Sequence, residues 1–523
     1  MNRAAEDWRI SDDLISELVL RSAGLPLHID AVLKLALRLN ARLPGREFTA
    51  DDLSGGLPDV VQRLIRTLSP AEARAFRAAC VLPSFDIQLA AAVAGVDAAD
   101  VERAIRFALV EHDDGLVYPY RVHDEIRRLV KLDRDSEGYW SLADWESAAR
   151  RGLHEAIARI KAGHELGSDA AQLQGIALAI RLGYEWDIYP EGLAKIVSDG
   201  PSIAVLAPLI PPESVVQSDS AISDFIRFVH ALALPFDAGA ARLLTLHPTD
   251  PEVAHFTLRW AMYRSRSVCR FDEAMRAAGL LVESAPPAFA KLSRYQYAVT
   301  LRACRRFADS EEYVKVWRPD RIDRWQAMAD RLYGVANYDP TELARNSAGN
   351  TSRRFQLELE INDLVRNARF KGDLDVDRIN AYLERSINLG QFSFQRDCLL
   401  LLGYANLGNR VIFDGLVDNL RNHESYDYSA YVYCQLLALR ALYLGDREIA
   451  RPAYQEIISR ERSRNAYWIS AEVWLEALGF DIPPEDTQWL MPYEDVRANW
   501  MMVADRLIRQ AKARSGEAAE LGS

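Results

Sequence analysis

The chain is poor in cysteine, in net positive charge and in long apolar runs. Its five cysteines, Cys80, Cys269, Cys304, Cys398 and Cys434, form no CxxC pair, and none has histidine at zinc-ligand spacing. That excludes a disulfide scaffold and a zinc finger, and it suits a reducing compartment. No stretch reaches the 18 or so apolar residues of a membrane span, and residues 1–11 lack the apolar centre of a secretory signal. The cytoplasm is the expected location, with no membrane partner. Lys and Arg total 63 against 75 Asp and Glu, a formal charge of −12. An acidic chain lacks the electrostatic footprint of general nucleic-acid binding.

Catalytic motifs are missing too. No Gly-Lys dipeptide occurs, so no GxxxxGK[ST] phosphate loop can be written. GxGxxG, HExxH and GxSxG are absent. The sequence carries no catalytic residues and no metal ligands, and it calls for no cofactor of its own. The chain by itself is not expected to be an enzyme.

What is present is helix. The length of 523 residues leaves room for three or four domains. Asp12 and Asp13 precede an apolar stripe of Leu14, Ile15, Leu18 and Val19, which Gly24 stops, and Pro26 suits the first turn of the next helix. Ser69-Pro70-Ala71-Glu72 is a capping box. Asp86, Asp97 and Ser141 are further N-cap signals, and Gly95 is a stop. Between them, Leu109–His112, Asp113–Gly115 and Leu116–Tyr118 read as strand, turn and strand. His123-Asp124-Glu125 then opens another helix. Three helices, a hairpin and a closing helix describe a winged-helix module.

Beyond Trp140 the chain reads as helix, with a proline-rich break over 186–220. A loose repeat follows. Similar segments begin at Cys269, Cys304, Phe370, Leu407 and Leu444, with Tyr338–Glu342 filling the gap. Helix pairs at such a period cannot cover their own apolar faces and must stack. The repeat resembles a degenerate tetratricopeptide (TPR) array. The expected fold is mainly α: a helical segment over 1–56, a winged helix over 57–135, a helical linker over 136–220, TPR-like repeats over 221–508, and a disordered tail over 509–523.

Leu20–Leu27 contains Gly24-Leu25-Pro26-Leu27, and Val122-His123-Asp124 stands at the closing helix of the winged-helix segment. This order resembles the C-terminal half of STAND-type, NB-ARC-like signalling ATPases. There a GLPL segment opens a helical domain, and a winged helix ending in a His-Asp signature follows. The resemblance implies ATP or ADP for the intact family, with Gly24, Pro26 and His123 facing the nucleotide when an ATPase half is present. It implies a regulatory and sensor segment with a protein trigger on the helical repeats, an ATPase half that is truncated away or a separate chain, and room for an oligomer on activation. Two other readings stay open. One is a TPR-like interaction scaffold without a nucleotide link. The other is a winged-helix DNA-binding regulator with Asp97–Phe107 as recognition helix, although Arg103 and Arg106 there face Asp97, Asp100 and Glu102. Nucleic acid is therefore not the expected partner. Plainer roles also fit single residues. Gly24-Pro26 reads as a helix–helix turn, and His123-Asp124 as a capping pair. His28, Arg127 and Arg128 read as surface, and Trp140 and Trp145 as packing anchors.

Overall fold

The structure is a computed structural model. It describes residues 25–42, 55–106, 109–166, 169–199, 203–268, 270–306, 373–387, 392–421, 426–459, 469–482 and 493–521, with scattered residues over 16–22, 308–313 and 357–368. The described residues are mainly helical and fall into two compact units, Met1–His230 and Ala231–Ser523.

The first unit opens with α1 (Pro26–Arg42), α2 (Leu57–Arg66), α3 (Pro70–Val81), α4 (Ile87–Ala94) and α5 (Ala98–Arg106). Local chemistry sets their ends. Ser69 Oγ accepts the Glu72 N–H at 3.3 Å, while the Glu72 carboxylate accepts the Ser69 N–H at 2.8 Å, so the box closes in both directions. Asp86 caps α4 by accepting the Leu89 N–H at 2.6 Å. Gly95 ends α4 at φ +65°, a conformation that costs a residue with a Cβ. The short strands β1 (Val110–His112) and β2 (Tyr120–Val122) pair antiparallel, with Val110 opposite Val122. Phe85 bridges to Tyr120 from the loop between α3 and α4, adding a third extended segment. Then α6 (Asp124–Leu132) closes the module against α2 and α3. Three helices, a two-stranded hairpin and a closing helix thus follow one another in this unit.

The hairpin differs from expectation in one respect. Its second strand is 120–122 rather than 116–118. The Val117 N–H is taken by Gln174 Oε1 at 2.7 Å, so 116–118 stays in the loop between the strands. Two long helices follow, α7 (Leu142–Leu166) and α8 (Asp169–Trp186), packed on each other, with α7 also lying on α4. Ser141 Oγ accepts the Asp144 N–H, and Asp144 Oδ2 accepts the Ser141 N–H at 2.8 Å. Trp145 is buried, edge-on to Trp140 at 4.9 Å and stacked on Trp186 at 6.4 Å. Three shorter helices, α9 (Leu193–Asp199), α10 (Ile203–Leu206) and α11 (Ala221–Ala233), lead to the division at His230.

The second unit repeats helix, tight turn and helix. It contains α12 (Phe236–Leu244), α13 (Pro251–Ser267), α14 (Phe271–Ser284), α15 (Ala290–Ala303), α16 (Val376–Ile387), α17 (Phe392–Ala405), α18 (Arg410–Arg421), α19 (Tyr426–Leu444), α20 (Arg451–Ser459), α21 (Ile469–Ala477) and α22 (Tyr493–Leu521). Sequential helices pack on one another from α12 to α15 and from α18 to α20. Several turns close alike: the N–H of Arg270, Arg306 and Asp446 each donates to the carbonyl five residues back, at 2.8, 2.9 and 3.1 Å. Arg305 at φ +61° and Gly445 at φ +70° supply the left-handed residue in two of them. The expected repeat starts at Cys304, Leu407 and Leu444 fall in or beside these inter-helix turns. Cys269, Phe370 and Tyr338–Glu342 lie outside the described residues. The core centres on fully buried Tyr382, Tyr404, Trp474 and Trp500. Each large apolar side chain so buried contributes about 1.5–3 kcal/mol.

The tail from 509, expected to be disordered, is instead the second half of the 29-residue helix α22. Ala511 is buried, Ser515 Oγ lies 3.0 Å from the Tyr443 hydroxyl, and Arg514 donates to Leu374 O at 3.3 Å. The Ala-, Arg- and Glu-rich composition that suggests fraying is also good helix composition, and tertiary contact decides between the two.

Among the described residues, no helix is long and apolar enough to cross a membrane, and no cluster of His, Cys, Asp and Glu suits a metal ion.

Candidate functional site

Strand β2 delivers the His-Asp signature. Val122 is buried, and the chain leaves the sheet at His123, which becomes the N-cap of α6. His123 Nδ1 accepts the Glu125 N–H at 3.3 Å. That bond needs an unprotonated Nδ1, so in the neutral ring Nε2 carries the proton and is the nitrogen able to donate outward. The cap is thus the histidine and not Asp124. Asp124 pairs with Arg121 at 2.6 Å and lies 3.5 Å from Arg127. Glu125 pairs with Arg128 at 2.6 Å, and the hydrogen bond from Arg128 holds its carboxyl below the usual range. Both acids sit in the first turn, where the helix dipole favours them.

Pro26 is the exposed first residue of α1, with its ring open to solvent. Gly24 lies outside the described residues. Leu25, 61% exposed, accepts the N–H groups of His28 and Ile29 at 3.0 and 3.1 Å. The far end of α1 is anchored by an ion pair between Arg38 and Glu72 of α3. Burial pushes the Glu72 carboxyl up, but the Ser69 N–H and the Arg38 guanidinium outweigh it and hold it below its ordinary value. At 1.5 Å per residue, Pro26 stands roughly 18 Å along α1 from that anchor. No hydrogen bond among the described residues joins Pro26 to His123.

Two surface assignments are corrected. His28 is 6% exposed because it shares a stripe with Val32 and Leu35, the face that α1 turns inward. Arg127 is 9% exposed and donates to Cys80 O at 3.0 Å and Val81 O at 3.1 Å. Only Arg128 of that pair is on the surface. Helix phase separates them, since Arg127 follows buried Ile126 and precedes buried Val130 by three.

Sequence reasoning misses the side chains that tie the hairpin module to α7 and α8. Arg159 pairs with Asp86 at 2.6 Å, and Arg151 donates to Val93 O at 2.9 Å, so α7 is fixed to both ends of α4. Gln174 of α8 holds the hairpin loop, and Glu185 of α8 pairs with Arg127 at 2.6 Å. Each of these partners is 57 or more positions away, and no local rule signals it. In α5, Arg103 is paired with Asp100 and lies 3.5 Å from Glu72. An open groove of about 780 Å³ beside it is lined by Arg74, Asp97, Asp100, Glu155 and Arg159 among others. Three carboxylates there face two guanidiniums, one of them already paired, which does not make an anion cradle.

No protein-family model matches the chain. No curated protein matches it in sequence. Among solved structures, it resembles the crystal structure of a Signal Transduction ATPase with Numerous Domains (STAND) protein with a tetratricopeptide repeat sensor from Pyrococcus horikoshii. The identity is 12% and the TM-score 0.43, over 91% of this chain and 67% of that one. A likeness of that size assigns neither a site nor an activity.

Proposed function

We propose that this chain is the regulatory and sensor segment of a STAND-type nucleotide-dependent switch, acting in the cytoplasm. The helical repeats bind a protein trigger. The winged helix holds a nucleotide-binding core closed, and that core belongs to the same polypeptide or to another chain. Pro26 and His123 face the nucleotide only when the core is present, and the chain alone does not hydrolyse ATP. The observation that carries the reading is the His123 cap: with Nδ1 engaged by the Glu125 N–H, Nε2–H is the donor a β-phosphate oxygen requires. Losing that bond on nucleotide exchange would bias a closed-to-open equilibrium.

Titration calorimetry tests the first half. One hydrogen bond nets about 0.5–1.5 kcal/mol. That is too little to offset the several kcal/mol lost on immobilising a ligand. The isolated chain should bind ADP no better than millimolar, and micromolar binding would overturn the reading. With a phosphate-loop core supplied in trans, the chain should slow ADP release and His123→Ala should speed it again. If the chain leaves ADP release unchanged, the scaffold without a nucleotide link is the better reading, with His123 only a helix cap.

A further inference from the structure

Arg127 stands one helical turn after His123, and its N–H donates to the His123 carbonyl at 3.0 Å. Its guanidinium ends among three elements. Two nitrogens donate to Cys80 O and Val81 O at the end of α3. Nη2 also donates to Glu185 Oε2 of α8 at 2.6 Å, and Nη1 lies 3.5 Å from Asp124 Oδ1. The other Glu185 oxygen takes Lys131, whose ammonium stands 4.6 Å above the Trp186 ring. Trp186 in turn stacks on Trp145 of α7. Contacts therefore run without a break from the His123 corner into both long helices.

We propose that Arg127 and Glu185 are a coupling pair, through which a displacement of the first turn of α6 is passed to α8. A buried guanidinium holds its place only while its acceptors stay with it. If α6 shifts and α8 does not, Arg127 loses its carboxylate partner in a buried position. If Glu185 is withdrawn, the carboxylate left to Arg127 among the described residues is Asp124. Asp124 is shared with Arg121 and adjoins the His123 cap. Either event is felt at both helices. The inference rests on the proposed role of His123 only for its purpose, because the pair couples α6 to α8 with or without a nucleotide nearby.

Amide hydrogen exchange on the full chain, with no nucleotide present, is the test, so its failure and the failure of the nucleotide reading are separate results. Glu185→Gln keeps both carbonyl bonds of Arg127 and so keeps α3 capped. It should speed exchange about tenfold in the last turn of α8 and also at the Glu125 and Arg127 amides of α6, which His123 accepts. His123→Ala should speed exchange in α8 as well as in α6. Arg128→Gln, which breaks an exposed pair on α6, should leave α8 unchanged. Glu185→Asp, which keeps the charge, should restore much of the protection even if Glu185→Gln melts early. Effects confined to the mutated helix, an equal response to Arg128→Gln, or no recovery in Glu185→Asp would each overturn the proposal.

Discussion

Gly239, in the first turn of α12, owes its place to Arg264. A methyl group at 239 would overlap Arg264 Nη1 and approach Ala231 O to 2.8 Å. Arg264 is 4% exposed and reaches from α13 to the end of α11. It donates to Ala231 O at 3.2 Å, to Leu234 O at 3.0 Å and to Leu232 O. Its guanidinium also stands 4.9 Å over the Phe236 ring. Burial pulls Arg264 down to about 10, so it stays charged at neutral pH. These carbonyls belong to a helix end, where no intrahelical donor remains. Gly239→Ala therefore has to push α12 away or push the guanidinium off its acceptors. Hydrogen bonds to a charged donor are worth about 1.5–3 kcal/mol each, so losing two costs roughly 3–6 kcal/mol. Replacing a helical glycine with alanine returns about 1 kcal/mol. The net loss should be roughly 2–5 kcal/mol, read by urea unfolding with far-ultraviolet circular dichroism. On an Arg264→Met background the same substitution should cost less than half as much. Part of the cost remains there because the Ala231 carbonyl still crowds the site. A neutral or stabilising Gly239→Ala in the otherwise unchanged chain would refute the reasoning.

Three further outcomes follow from the same kind of reading. His255 is 2% exposed and stacked on Phe289 at 4.4 Å; burial first, and the Arg259 charge second, pull its imidazole from 6.5 down to about 4. The unfolded chain takes up that proton first, so stability present above pH 6.5 is lost as pH falls towards 4, by roughly 3 kcal/mol. His255→Phe should flatten urea-derived stability across that window, and an unchanged slope would count against the buried neutral ring. Fluorescence anisotropy should detect no sequence-specific duplex binding near physiological salt, because Arg103 is already paired and α7 and α8 lie on α4 and the hairpin loop; a footprint lost in Arg103→Ala would contradict this. Deleting 509–523 should lower stability by roughly 2–4 kcal/mol through the lost Ala511 burial and the Ser515 and Arg514 bonds, whereas a frayed tail would cost nothing.

What the sequence makes legible is what lies within one helical turn. The Ser69 box, the Asp86 cap and the Gly95 stop involve residues at most five apart, and each is read correctly from its neighbours. The second strand is misplaced because strand pairing is not local: 116–118 has the apolar run, but Phe85 pairs with Tyr120 and Gln174 claims Val117. The buried arginines look like the hardest case, yet they carry a signal. Helix α3 ends at Val81 and is followed by Leu82-Pro83; α11 ends at Ala233 and is followed by Leu234-Pro235. Neither has the glycine that folds a helix end back onto its own carbonyls, and proline brings no N–H to do so. Both ends therefore need donors from elsewhere. Both receive them from an arginine in the buried phase of a later helix, Arg127 for α3 and Arg264 for α11. Five donors in a planar fork suit arginine to several carbonyls at once, where lysine offers a single point. A helix that stops at Leu-Pro without a glycine thus points to a distant arginine on an otherwise apolar face, and in this chain the rule identifies both the joint beside His123 and the contact that requires Gly239.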